Sequence, residues 1–77
     1  MEDQATYFGE VCWFNAKKGY GFIIWSIEGT QQNDIFCHFS DITMEGFKTL
    51  FKDQQVSFQL GRNHHGDLKA VNIKIIS

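Results

Sequence analysis

The sequence predicts an all-β fold, a small five-stranded antiparallel barrel, on three observations. Short runs rich in aromatic and β-branched residues are separated by clusters of Gly, Asn and Asp. Val56, Phe58 and Leu60 alternate with Gln55, Ser57 and Gln59, so one face of that run is buried and the other is wet. The chain has 77 residues, room for one core, and five strands on so short a chain must close on themselves or leave unpaired edges.

The elements run in order along the chain. Residues 1–6 are polar and read as a short N-terminal extension, and one domain occupies 7–77. The first strand is placed at Tyr7 to Asn15 and the second at Gly19 to Ser26. The third is placed at Asp34 to Phe39, the fourth at Gln55 to Leu60 and the fifth at Leu68 to Ile75. Ile27 to Asn33 is polar and contains Gly29, and Gly61 to Asp67 carries glycines at both ends of its turn, so both read as hairpin loops. Ser40 to Gln54 is a longer connection whose start predicts one helical or 3₁₀ turn, since Ser40 and Asp41 can cap. Phe8, Phe14 and Phe58 are expected in the core, and strand parity puts Trp25 there as well.

Composition narrows the function. Eight Phe, two Tyr and two Trp are more bulky rings than so small a core easily holds, so some are expected to face solvent. The net charge of −2 predicts weak duplex binding and a shallow salt dependence. Cys12 and Cys37 follow no apolar leader, and no run is long enough to span a membrane, which reads as a cytoplasmic protein with two reduced thiols. A single disulfide between them stays open at this level. Cys12, Cys37, His38, His64 and His65 lack the paired spacing of a structural zinc site, so neither metal nor cofactor is expected. With no nucleophile–base–orienter set and no phosphate-cradling loop, no enzymatic activity is expected.

The second and third strands depart from ordinary patterning. Lys18, Tyr20 and Phe22 share one face, with Gly19, Gly21, Ile23 and Trp25 on the other. Asp34, Phe36 and His38 share one face, with Ile35, Cys37 and Phe39 opposite. Burying an unpaired charge costs far more than exposing a ring, so the charged set must face water and take Tyr20, Phe22 and Phe36 with it. If the two strands pair, three rings, an imidazole and an ammonium form one exposed patch. Flat rings in water suit nucleobases, which present a π-face whatever their identity. Duplexes hide those faces, so the expected partner is single-stranded RNA or DNA, with no membrane or small-molecule substrate and a monomeric protein. Lys17, Lys18, Lys48 and Arg62 are candidates for a basic rim. A peptide-binding barrel using the same rings is the alternative, less suited to Lys18, His38 and Lys48 around the patch.

Several linked segments carry a resemblance. Gly9-Glu10-Val11-Cys12-Trp13-Phe14-Asn15 and Lys18-Gly19-Tyr20-Gly21-Phe22-Ile23 look like the opening of the cold-shock domain family, the second being similar to its first RNA-binding motif. Asp34-Ile35-Phe36-Cys37-His38-Phe39 resembles the second RNA-binding motif. Gly46-Phe47-Lys48-Thr49-Leu50 resembles the loop of bacterial members, and Ala70-Val71-Asn72-Ile73 the closing strand. The likeness runs from Phe8 to Ile75. It implies a Greek-key barrel of the OB-fold type and an RNA chaperone that binds single strands with low sequence preference. It implies base contacts by Trp13, Tyr20, Phe22, Phe36, His38, Phe39 and Phe47, with Lys18 near the backbone.

Four departures stand out against that family. Cys12 replaces a usual Lys, and the loop between the second and third strands is longer and carries Gln31, Gln32 and Asn33. The last loop has His64 and His65 and no proline. Trp25 is an unusual ring at a strand end.

Overall fold

Trp25 and Phe58 meet edge-on in the core with half-buried Tyr7 packed against them, ring centroids lying 5.3 Å apart for Tyr7–Trp25 and 5.6 Å for Trp25–Phe58. The computed structural model describes residues 5–76, so residues 1–4 of the polar extension and Ser77 lie outside it. Around this core run β1 (Tyr7–Asn15), β2 (Tyr20–Ile27), β3 (Thr30–Gln31), β4 (Ile35–His38), β5 (Gln55–Arg62) and β6 (Leu68–Ile75). A 3₁₀ turn, Phe39–Asp41, follows β4.

The strands close in the order β1-β5-β6-β4-β2, with β2 returning to β1. That is the five-stranded barrel expected from the sequence. The pairings are antiparallel except one: β4 meets β6 in parallel, with Phe36 beside Lys69. The parallel seam continues past the 3₁₀ turn through an Ile42–Ile73 bridge. The interior holds Val11, Ile23, Ile35, Cys37, Ile42, Leu50, Val56, Ala70 and Ile73, and no polar or charged residue among those described is buried. Every inward position is therefore one that loses free energy on exposure, at about 25 cal/mol per Å² of apolar surface.

The bounds of β1 and β6 are those expected from the sequence, and those of β2, β4 and β5 differ by one or two residues. The loop after β2 carries more order than a plain hairpin loop. Ile27 pairs with Thr30 across Glu28 and Gly29, whose φ angles of 49° and 84° make the tight turn that matches strand twist. The stem is tied to the core by Trp25. Its indole N–H donates to the Asn33 carbonyl at 2.8 Å, and the Gln32 N–H donates to the Trp25 carbonyl at 3.0 Å. Trp25 is thus a core ring, as parity predicts, with its polar edge spent on the long loop.

Two expectations fail. Phe8 is not core: it is 61% exposed, because Tyr7, Gly9 and Val11 take the inward positions of β1. Phe39 does not follow strand alternation inward. The strand ends at His38, and Phe39 opens the 3₁₀ turn, 44% exposed. Of the helical and 3₁₀ alternatives the turn is 3₁₀; it begins one residue early, at Phe39, and its cap is His38, whose ring accepts from the Ser40 N–H, and not Ser40 or Asp41.

Candidate nucleic-acid interface

The site begins with an irregularity in β1. Gly9, Glu10 and Val11 pair with Trp25, Ile24 and Ile23, and the register then shifts, so that Trp13 pairs with Phe22. Cys12 is the extra residue of this β-bulge. A bulge reverses the parity of the residues after it. Val11 is fully buried, yet Trp13, two residues on, is 42% exposed. Without the bulge, period-two alternation would carry the indole into the core.

Three strands then lay rings on one outer face. Phe22 of β2 pairs with Phe36 of β4, and Tyr20 with His38. Trp13 lies 5.5 Å from Phe22 and 5.9 Å from Tyr20 between centroids. Phe36 lies 5.8 Å from Phe22 and 5.9 Å from Tyr20. The four rings make a closed cluster, each half-buried by its neighbours and open outward. Gly21 makes this approach possible: a Cβ there would run into the Trp13 carbonyl and the Phe14 Cα.

The platform continues past β4. His38 and Phe39 rings lie 4.6 Å apart at 35°. The Ser40 backbone N–H donates to His38 Nδ1 at 3.2 Å, with Ser40 Oγ 2.9 Å from the same nitrogen. An N–H cannot accept, so Nδ1 must carry the lone pair. The ring proton is therefore on Nε2, leaving that edge as a donor.

Phe39 packs against Gly19, which has φ of 82° and no room for a Cβ beside that ring. Together they floor a cleft of about 380 Å³ whose walls are Lys17, Lys18, Phe47 and Lys48. Lys18 belongs to the turn before β2 and not to the strand; its N–H donates to Asn15 Oδ1 at 2.9 Å. Phe47 is 71% exposed in the long connection. Trp13, Lys18, Tyr20, Phe22, Phe36, His38, Phe39, Phe47 and Lys48 thus fall on one continuous surface. Arg62 is engaged elsewhere, its guanidinium donating to the Gly66 carbonyl at 2.8 Å within the last hairpin.

Lys69 is a cation that the sequence reading did not place. It sits beside Phe36 across the parallel seam, with Nζ 3.1 Å from Asp41 Oδ2. Only the β4–β6 pairing brings it there, and no local pattern encodes that. Beneath the platform, burial pushes the Cys37 thiol up to about 12; a hydrogen bond from the Gly21 backbone opposes this and the Asp41 carboxylate adds to it. Both cysteines are free, Cys12 half-buried at the bulge and Cys37 in the core, which settles the disulfide question.

Comparison with known proteins agrees with this geometry. Residues 7–76 match the family model described as 'Cold-shock' DNA-binding domain. Cold shock-like protein CspE of Bacillus anthracis is 49% identical over 61 residues, covering 79% of this chain and 85% of that protein. Cold shock protein CspB of Bacillus caldolyticus is 46% identical over 67 residues, covering 87% and 96%. A cold shock-like protein of Aquifex aeolicus is 45% identical over 71 residues, covering 92% and 96%. With the barrel, the ring platform and these matches in hand, the chain belongs to the cold-shock domain family, a family of non-enzymatic nucleic-acid binders.

Proposed function

We propose that this protein binds single-stranded RNA or DNA by stacking unpaired bases on the outer rings of β1, β2 and β4. The observation that carries the reading is the cluster of Trp13, Tyr20, Phe22 and Phe36, half-open to solvent and extended by His38 and Phe39. Each base–ring stack contributes about 1–3 kcal/mol, so a few stacks support useful affinity with few phosphate contacts. That suits a chain of net charge −2. Lys17, Lys18 and Lys48 line the cleft where a phosphate backbone would leave the rings. Stacking reads no base edge, so sequence preference is low and an RNA-chaperone role follows: holding transcripts open, with antitermination or translational control as downstream effects. The acting form is a cytoplasmic monomer.

Titration with a short oligo-dT or oligo-U strand, followed by Trp fluorescence, tests this. Trp25 is buried and hydrogen-bonded, so it gives a constant background, and Trp13 is the reporter. Single strands should quench strongly, a duplex of the same length should not, and added salt should have a limited effect. No quenching by single strands at high micromolar concentration would overturn the proposal.

A further inference from the structure

The ring platform does not end at Phe22. Along the β1–β2 ladder, the next outward pair is Glu10 with Ile24, and beyond it Phe8 and Ser26 line the same groove. Ser26 pairs with Gln31 of β3, and Glu10 pairs with Gln55 of β5. These six residues line an open groove of about 440 Å³ that continues the outer face of β1 and β2. Two residues of strand, about 6.7 Å, separate Ile24 from Phe22.

Three features make this more than a stray apolar patch. Phe8 is 61% exposed, a ring held out where the core did not need it. Gln31 comes from the lengthened hairpin, and that hairpin is held still by its tight turn and the two Trp25 hydrogen bonds. Around the ring stand one carboxylate and two amides, a set that hydrogen-bonds base edges and repels phosphate.

We propose that this groove is an additional base subsite, continuous with the platform and resting on the single-strand reading above. It takes a nucleobase stacked on Phe8 whose exocyclic amino group donates to Glu10, with Gln31 and Gln55 on the remaining edge. Cytosine, adenine and guanine carry such a donor, whereas thymine and uracil do not. The phosphate backbone stays outside, away from the carboxylate. The long hairpin thereby adds base preference to a surface that is otherwise indifferent to sequence.

The test uses the full chain and dT6, alone and extended by dC2 or dT2 at either end, with Trp13 quenching as the readout. At one end, dC2 should tighten binding about tenfold relative to dT6, and dT2 should do so less. Phe8→Ala should abolish that gain and leave dT6 affinity unchanged. Glu10→Met, which removes the acceptor at similar volume, should remove the preference for dC2 over dT2 and keep the stacking gain. Equal binding of extended strands by Phe8→Ala and the parent overturns the subsite while dT6 binding preserves the platform. Failure of the parent to bind dT6 at all removes both. Concentration-dependent self-association that Phe8→Ala abolishes, with no change in strand binding, would instead assign the groove to a second copy of the chain and overturn the proposal.

Discussion

Val11 and Trp13 stand two residues apart in one strand and lie on opposite sides of the barrel wall, the first fully buried and the second 42% exposed. The register shift at Cys12 is the cause. One inserted residue converts a core position into a surface position, and the indole then packs against Phe22 and Tyr20 instead of the interior.

Truncating platform rings separates binding from folding. Trp13→Ala and Phe36→Ala should each weaken single-strand binding by about 1–3 kcal/mol. Thermal melts should move little, since both side chains are partly solvated already. Loss of fold with binding per folded molecule unchanged would show that these rings serve packing alone.

Gly21→Ala should act in the opposite sense. Its methyl group meets the Trp13 carbonyl and the Phe14 Cα, both backbone atoms of β1 that cannot swing aside. Overpacking of this kind costs about 3 kcal/mol. The melting temperature should fall by at least about 10 °C, readable by circular dichroism.

His38 is expected to bind as a donor through Nε2, because the Ser40 N–H occupies Nδ1. Nitrogen-15 spectra of the imidazole should place the proton on Nε2. His38→Gln retains a donor and should bind closer to the parent than His38→Leu. Equal losses in the two variants would reduce His38 to a stacking surface.

Cys37 links stability to alkaline pH. Its folded value is about 12 against an ordinary 9.0, so between these values the unfolded chain has lost a proton that the folded chain keeps. Stability is then independent of this group below pH 9 and falls as pH rises above it, by about 1.4 kcal/mol per unit. Cys37→Val should show a shallower alkaline decline in denaturant melts. In the native protein, thiol reagents should label Cys12 well before Cys37.

The barrel is legible because alternation is strong where one face is wet. The β5 run from Gln55 shows it cleanly, and charge parity alone turns Tyr20, Phe22, Phe36 and His38 outward, whereas in β6 a register shift at Asn72, with φ of 50°, puts Ala70 and Ile73, three residues apart, both in the core. Breaks in periodicity decide the rest. Parity cannot foresee the bulge at Cys12, and for Trp13 only the family resemblance points outward. Phe39 escapes alternation because β4 is four residues long and ends before it. Hydrophobicity alone puts Phe8 in the core, although Val11 fixes the parity of β1 and leaves Phe8 on the outside. Lys69 depends on a parallel pairing between strands far apart in the chain, which local sequence does not specify.

The mutual contact of Trp13, Tyr20, Phe22 and Phe36 bears on the cost of association. Rings wedged against one another have already surrendered their rotamer freedom during folding. An incoming strand therefore finds a preset surface, and the ordering penalty of complex formation falls mainly on the flexible nucleotide chain. Binding of a single strand on this surface then requires no rearrangement of the rings.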